Sequence, residues 1–293
     1  YDLKQATHVW NATLDNRSKL LGFNSLIPDP CVYIKGCRES FVMLTLYVDD
    51  ILVTGGSKEA ILDEVKNTLM AEFSMSHLGD VSETLGIHII NRNFEAGTIS
   101  FSQEKYVEAI ILERFGMNGC KPVSTPGTGR ELVVKPEGSE YLDEKETKEY
   151  QALIGSLIFL TTNTRCGIAF AVMQTARFMS KPTSGHMVAA KRILRYLSDL
   201  TDLRITYSRS RNKGLLGYSL VIRLIHVTGD PERSWSTTIN STIFFLSGGL
   251  VHFSSQLQKI AAQSTTEAEL IALNSCAKRG METRSTQQVD PSM

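Results

Sequence analysis

Two adjacent carboxylates, Asp49 and Asp50, have the residue type and the position best suited to chemistry in this sequence. They lie between two apolar runs, 41–46 and 51–53, which have the composition of buried strands. Two unpaired acids in a tight turn repel each other unless a divalent cation lies between them, and paired carboxylates hold the metal ions of phosphoryl transfer. The alternative is an Asp-rich surface turn, but the flanking strands favour a metal-binding hairpin.

A third carboxylate, Glu269, lies in the segment 264–273, which has the pattern of a capped amphipathic helix. Ser264 is a suitable N-cap, and Glu267 in the first turn would interact favourably with the helix N-terminus. Glu269 precedes three apolar residues and is the better candidate for a metal ligand. Two solvated glutamates at the start of a helix are the alternative interpretation.

The residues around Asp49 and Asp50 have the pattern of a sheet covered by helices. Apolar residues at helical spacing predict one helix over residues 3–21, ending at Gly22, and another from Ser57 to about residue 73. Between these helices, strands are predicted at 31–34, 41–47 and 51–54. The two acids are therefore expected at the turn between the second and third strands.

The rest of the chain also combines helices and strands. The segment 116–149 is rich in glycine and acidic residues, which is typical of a linker between domains. The predicted elements are a hairpin of strands 85–90 and 98–101, helices at 103–115, 147–161, 166–179 and 183–199, strands at 204–207, 215–218, 239–246 and 250–253, and a last helix at 265–277.

The composition bears on the class of protein and its compartment. The 31 basic and 31 acidic side chains give a formal net charge of zero, which by itself argues against a dedicated polyanion-binding protein. Basic residues are nevertheless concentrated between 177 and 213. The 5 cysteines are widely spaced, so neither a zinc site nor a disulfide framework is indicated, and a reducing intracellular compartment fits best. No signal peptide is recognisable, and no apolar run approaches the roughly 20 residues of a membrane span.

Several motifs in a fixed order resemble the reverse transcriptase of copia-type LTR retrotransposons. The most specific is YVDDILVTG at 47–55. The others are LKQA at 3–6, DPC at 29–31, LGD at 78–80 with LGI at 85–87, LIGSL at 153–157 and AKRILRYL at 190–197. The resemblance extends over residues 1–277, and ordered matches are far more specific than any single motif.

The resemblance implies a role for each residue of the palm motif. Asp49 and Asp50 would hold catalytic Mg²⁺, Tyr47 and Val48 would lie near the primer end, and Gln5 would lie near the incoming nucleotide. The family's third metal carboxylate lies on a strand upstream of the LKQA helix, and this sequence starts at that helix. Because a two-metal site needs several anionic ligands, we expect that the chain by itself does not polymerise.

The segment around Glu269 resembles the STEAE helix of the family's ribonuclease H, which makes Glu269 the implied metal ligand of that domain. Upstream, GYS at 217–219 and GDP at 229–231 match the flanks of the strand that carries the nuclease's first aspartate. The intervening residues 220–228 contain no acid. We therefore expect an inactive nuclease and a segment that bulges or loops out. We interpret it as strand sequence read in a shifted frame, and a true insertion is the alternative.

The basic region contains a second class of candidate residues. Beside the palm motif, a track that binds nucleic-acid phosphates is favoured over an ordinary solvated face. The candidates for this track are Arg177, Lys181, Lys191, Arg192 and Arg195.

Together these observations predict an α+β protein. It would contain a partial reverse transcriptase palm and thumb with connecting helices, followed by a partial ribonuclease H-like domain. The expected boundaries are 1–115 for the palm and the elements after it, 116–149 for the linker, 150–203 for the connecting helices, 204–279 for the ribonuclease H-like domain and 280–293 for a divergent tail.

The implied function is a fragment of a retrotransposon RNA-directed DNA polymerase and ribonuclease H that is catalytically incompetent as this chain. The implied partners are an RNA template, a DNA primer, an RNA–DNA hybrid and deoxynucleoside triphosphates, with Mg²⁺ as the cofactor. One alternative is a non-catalytic protein, retained by a host, that binds RNA or an RNA–DNA hybrid. Another is an unrelated metal-dependent phosphotransferase that uses Asp49 and Asp50.

Overall fold

The computed structural model describes residues 6–37, 40–56, 59–127, 132, 140–211, 214–226, 235–258, 262 and 264–287. The chain divides into two compact units, one of residues 1–81 with 281–293 and the other of residues 82–280. Among the described helices, none has the length and apolar character needed to cross a membrane.

The first unit contains a four-stranded antiparallel sheet and two helices. Its elements in chain order are α1 (Ala6–Leu20), β1 (Asn24–Ser25), β2 (Val32–Cys37), β3 (Ser40–Tyr47), β4 (Asp50–Gly55) and α2 (Glu59–Glu72). Each strand pairs with the next one in the sequence, which gives the order β1-β2-β3-β4. The helix-on-sheet pattern expected for residues 3–73 is therefore confirmed, whereas the proposed cap Ser57 lies outside the described residues.

Local sequence explains how these elements begin and end. Helix α1 stops at Gly22, whose φ is +84°. The backbone N–H groups of Gly22 and Phe23 donate to the carbonyls of Lys19 and Ser18 at 3.0 and 2.9 Å, which is the pattern of a glycine-terminated helix. Alternate residues of β3 are buried, and they form a core with residues of both helices. This core contains Leu14, Phe23, Tyr33, Val42, Leu44, Leu46, Val65 and Leu69.

The second unit contains two further antiparallel sheets. The first has the order β5-β6-β7-β8, with β5 (Glu83–Thr84), β6 (Ile87–Asn93), β7 (Thr98–Ser102) and β8 (Arg204–Ser208). The other has the order β11-β10-β9, with β9 (Leu216–His226), β10 (Trp235–Leu246) and β11 (Gly249–Leu257). Because β7 pairs with β8, residues 83–102 share a sheet with residues 204–208, and the compact units divide after residue 81 rather than at residue 115.

Most helices of the second unit lie in the chain between β7 and β8, which are neighbours in one sheet. Helix α3 (Glu104–Glu108) continues into a π-helix at Ala109–Arg114, and after the linker come α4 (Glu144–Asn163), a 3₁₀ turn at Cys166–Ile168, α5 (Ala169–Ala176), α6 (Ser184–Leu197) and α7 (Thr265–Gln287). Helix α4 begins at a capping box, in which Asp143 accepts from the backbone N–H of Glu146. The largest core of the unit lies among these helices. It includes Tyr150, Leu153, Ile154, Leu157, Leu160, Ile193, Leu194 and Leu197.

Candidate functional site

Asp49 and Asp50 lie at the tip of the β3–β4 hairpin, as the sequence predicts. Tyr47 pairs with Asp50, which leaves Val48 and Asp49 as a two-residue turn. Val48 has a φ of +53°, a backbone conformation that normally favours glycine and that costs a β-branched residue on the order of 1–3 kcal/mol. Strain of this kind persists only where surrounding contacts hold the backbone in place, so the hairpin tip is a candidate functional feature.

The side chains of the hairpin tip point to solvent. Both carboxylates are exposed, and Tyr47 and Val48 are 56% and 59% exposed, whereas Leu46, one residue before Tyr47, is buried. Among the described residues, neither Asp49 nor Asp50 has an ion pair or a side-chain hydrogen bond. Two adjacent negative charges are therefore presented together, and no described residue neutralises them.

Trp10 of α1 stabilises the strained turn through a hydrogen bond to its backbone. Its indole Nε1–H donates to the carbonyl oxygen of Val48 at 2.8 Å, and its ring packs edge-on against Phe73 with the centroids 5.4 Å apart. Trp10 is not among the candidate functional residues that the sequence indicates. The indole N–H could have indicated such a role, because a packed tryptophan usually donates a hydrogen bond to a nearby acceptor.

Two polar contacts fix the helices that support the hairpin. The Arg17 guanidinium forms a bidentate ion pair with the Glu72 carboxylate, which joins α1 to α2. The buried Tyr33 hydroxyl donates to Asp15 at 3.0 Å, and burial together with this carboxylate raises the pKa of Tyr33 to about 12. The pKa of Asp15 is lowered, mainly by its hydrogen bond from Lys19. The hairpin therefore rests on a well-connected helix pair.

We expect Trp10→Phe to loosen the hairpin without unfolding the unit. The phenyl ring keeps most of the packing but loses the donor to Val48, and a lost hydrogen bond of about 1 kcal/mol corresponds to roughly fivefold faster opening. Amide hydrogen exchange at Asp49 and Asp50 measures this change. Phe73→Leu, which removes the ring contact and keeps the donor, is the matched control. Equal exchange rates in the two variants would contradict the role assigned to the hydrogen bond.

The other predicted site residues fall into separate groups. Gln5 lies outside the described residues. Glu269 is exposed on α7, whose opposite face buries Ala268, Ala272 and Cys276. The helix begins at Ser264, whose Oγ accepts from the backbone N–H of Glu267 at 3.1 Å. Among the described residues, no group of three or more His, Cys, Asp or Glu side chains is arranged to hold a metal ion.

The basic residues of α6 are already engaged within the protein. Arg192 donates to the Thr125 hydroxyl at 3.0 Å, Arg195 donates to the Lys121 carbonyl at 2.7 Å, and Lys191 lies 3.7 Å from a Glu149 carboxylate oxygen. The two arginine contacts attach the linker to α6, and the lysine contact joins α6 to α4. The other two candidates, Arg177 and Lys181, are exposed, and Arg177 stacks over the Phe178 ring at 5.7 Å. Arg177 also donates to the Gln174 side chain at 3.1 Å, so four of the five candidates of the expected track have polar contacts within the protein.

The expectation of a bulge in residues 220–228 is wrong for the part that the structure describes. Residues Leu216–His226 form one continuous strand, and they pair with β10 from Leu216 to His226 without a shift in register. The physical reason is local, because the segment is rich in β-branched and other apolar residues that favour an extended backbone. Residues 227 and 228 lie outside the described residues.

Comparisons with known proteins identify a family for the segment that contains the hairpin. Residues 1–128 match the family model described as reverse transcriptase (RNA-dependent DNA polymerase). The chain is 37% identical over 282 residues to the retrovirus-related Pol polyprotein from transposon TNT 1-94 of Nicotiana tabacum, which covers 95% of this chain and 20% of that protein. No solved structure matches.

Further relatives show the same pattern. The chain is 33% identical to the Pol polyprotein from transposon RE1 of Arabidopsis thaliana, covering 92% of this chain and 17% of the relative. It is also 32% identical to an uncharacterized mitochondrial protein of Arabidopsis thaliana, covering 85% of this chain and 97% of that protein. The chain thus spans about a fifth of the length of the Pol polyproteins that it matches. It belongs to the reverse transcriptase family of copia-type retrotransposon Pol polyproteins.

Proposed function

We propose that this chain contributes the metal-binding palm hairpin to RNA-directed DNA synthesis by a longer Pol polyprotein. The observation that carries the proposal is the pair of exposed carboxylates, Asp49 and Asp50, which lie on a strained two-residue turn and have no ion pair with any described residue. Membership of the reverse transcriptase family supports this assignment. In this proposal Tyr47 and Val48 lie beside the primer end, and Gln5 lies beside the incoming deoxynucleoside triphosphate.

The donor chemistry of the hairpin fits Mg²⁺. Carboxylate oxygens are the ligands that this hard cation prefers, and both side chains are accessible to substrate phosphates. When bound, the cation would neutralise charge on the phosphoryl oxygens during transfer. Asp49 and Asp50 would orient and hold it, while the Trp10 bond to Val48 would keep the turn from moving. In this proposal the longer polyprotein supplies the further carboxylate that a two-metal site needs.

Terbium luminescence tests the metal-binding step directly. Tyr47 pairs with Asp50 and Trp10 is bonded to Val48, so both rings lie near enough to sensitise Tb³⁺ bound at the hairpin. We expect sensitised emission that Mg²⁺ displaces, and we expect Asp49→Asn/Asp50→Asn to weaken the site at least about tenfold because ligand charge sets affinity for such cations.

The matched control for this titration is Asp63→Asn/Glu64→Gln, which removes two exposed acids of α2 in the same unit. It should leave the emission unchanged. Equal losses in the two double variants, or an unaffected hairpin variant, would refute the assignment of Asp49 and Asp50.

For residues 204–279 we propose a ribonuclease H-like domain that does not form a complete two-metal nuclease site. An antiparallel meander, β9 to β11, followed by the helix that carries Glu269, supports the comparison. The residues that follow GYS on β9 are Leu220 and Val221, which supply no carboxylate. An RNA template, a DNA primer and their hybrid remain the proposed partners of the whole polyprotein. The alternative of a host-retained binding protein is not favoured, because Arg192 and Arg195 are engaged within the chain.

A further inference from the structure

We propose that a basic and aromatic patch in the second unit, formed by Arg92, Phe94, Arg209 and Arg211, binds the backbone and bases of a single-stranded nucleic acid. The inference rests on the proposed function only in choosing nucleic acid among the possible polyanions. The patch contains none of the five basic residues that the sequence favours as a phosphate-binding track.

The patch is built where three loops converge. The 3₁₀ turn Arg209–Arg211 follows β8 and lies between two hairpin turns. The backbone N–H of Arg209 donates to the Gly97 carbonyl at 2.9 Å, in the β6–β7 turn. The N–H of Ser208 donates to the Ser247 carbonyl at 2.8 Å, in the β10–β11 turn. The first bond continues the pairing of β7 with β8, and the second joins the two sheets of the second unit. Both bonds hold the start of the turn that carries the two arginines.

The aliphatic stems of Arg209 and Arg211 each pack against a glycine. A Cβ placed at Gly97 would lie 2.8 Å from the Cβ of Arg209, and one placed at Gly248 would lie 2.8 Å from the Cδ of Arg211. Both glycines also have positive φ, at +61° and +82°. The stems are therefore held against the backbone while the residues as a whole remain exposed. A long side chain whose stem is fixed loses less conformational entropy when its guanidinium binds a ligand.

Two of the three arginines of the patch, Arg209 and Arg211, carry charges that no described residue neutralises. Among the described residues, Arg209 and Arg211 form no ion pair. The only acid within residues 92–97 and 207–211 is Glu95, against three arginines. This contrasts with Arg192 and Arg195, whose guanidinium groups already donate to the linker. Arg209 and Arg211 are thus better phosphate-binding groups than Arg192 and Arg195, because no described residue accepts a hydrogen bond from their guanidinium groups.

An aromatic platform lies on the same turn as Gly97. Phe94 is 72% exposed at the tip of the β6–β7 hairpin, and the Arg92 guanidinium stacks over its ring at 4.7 Å from the centroid. The hairpin tip is braced by Asn93, whose Oδ1 accepts from the Ala96 backbone N–H at 2.8 Å. An exposed ring beside cationic groups is the arrangement with which proteins bind single strands, by stacking bases and tracking phosphates. A paired strand offers no such free base faces, which is why we assign the patch to a single strand.

Fluorescence anisotropy with a labelled oligouridylate tests the patch in the full chain. Each arginine that contacts one phosphate contributes about 0.7 to the slope of log affinity against log salt on a single strand, so Arg209→Gln/Arg211→Gln should lower that slope by about 1.4 and the low-salt affinity by about tenfold. Phe94→Ala should weaken binding to the single strand by at least about fivefold and leave duplex binding unchanged.

The control variant Lys105→Gln/Lys145→Gln removes the same charge from exposed positions on α3 and α4, and it should bind as the parent chain does. Equal losses in the two double variants, an unaffected arginine variant, or a Phe94→Ala variant that binds the single strand as the parent does would overturn the proposal. Competition by polyglutamate as effective as that by oligouridylate would overturn the assignment to nucleic acid. If the parent chain binds no oligonucleotide at low salt, the proposed nucleic-acid role fails as well. If the parent chain binds and the arginine variant binds equally well, only the assignment of the patch is refuted.

Discussion

Replacement of Asp49 or Asp50 by asparagine is expected to reduce RNA-templated DNA synthesis by at least about 10³-fold in a complete Pol polyprotein that carries this chain. Asparagine keeps the size of the side chain but removes the negative charge that a divalent cation requires. The measurement uses the tobacco TNT 1-94 polyprotein with its matched segment replaced by this chain, since the two are 37% identical over 282 residues. Incorporation of labelled deoxynucleotide on a primed RNA template gives the rate.

Asp63→Asn is the control in the same polyprotein, because Asp63 is an exposed acid of α2 that pairs with Lys66. It should change the rate by less than about twofold, as expected for a surface substitution. The isolated chain is expected to incorporate no nucleotide, because its described residues supply only two carboxylates at the hairpin. Extension by the isolated chain that disappears in Asp49→Asn would show that the described ligands suffice, against this expectation.

The hairpin was predictable because its signal is local. A strand of alternating burial, a two-residue turn and a second strand follow one another within residues 40–55, and the acids between the apolar runs mark the turn. The strain at Val48 was not predictable, since valine is a poor choice for a positive φ. That conformation depends on tertiary contacts, including the bond from Trp10, which is 38 residues away in the sequence.

Long-range pairing was the main feature that the sequence did not reveal. Strand β8 pairs with β7 across the linker and four α-helices, and the Ser100 and Thr206 hydroxyls, 106 residues apart, lie 2.8 Å from each other. Periodicity identifies each strand but carries no information on its partner. The boundary drawn at residue 115 therefore separated strands that share one sheet.

The basic helix illustrates the same limit at the level of side chains. The spacing of Lys191, Arg192 and Arg195 on α6 indicates a charged face, but it does not say what that face contacts. In the structure, Arg195 is bonded to a backbone carbonyl of the linker, an acceptor present at every residue and therefore without a sequence signature. In residues 220–226, by contrast, the local composition was the better guide. Apolar and β-branched residues favour a strand, and the structure has a strand there in place of the expected bulge.

A buried arginine, Arg165, forms hydrogen bonds inside the second unit. Arg165 is 4% exposed, and its two terminal nitrogens donate to the backbone carbonyls of Leu203 and, at 2.7 Å, Thr201. Burial lowers the pKa of this guanidinium, while the charges of Asp202 and Glu104 act in the opposite direction. Next to it, the Thr164 hydroxyl donates to the buried Gln103 at 2.7 Å. The end of α4, the start of α3 and the loop before β8 are therefore connected by a few side chains.

Arg165→Met is expected to destabilise the second unit by about 2–4 kcal/mol, because two carbonyls lose their donors and each unsatisfied buried group costs about 1–3 kcal/mol. The gain from no longer burying a guanidinium offsets part of that loss, so the expected value is smaller than the sum. Urea unfolding measures the effect, and hydrogen exchange in residues 199–203 locates it. Arg204→Met, at an exposed position on β8, should cost less than about 0.5 kcal/mol. If the two methionine variants unfold at the same urea concentration, the loop before β8 does not depend on Arg165, and the pairing of β8 with β7 must be maintained by the strands themselves.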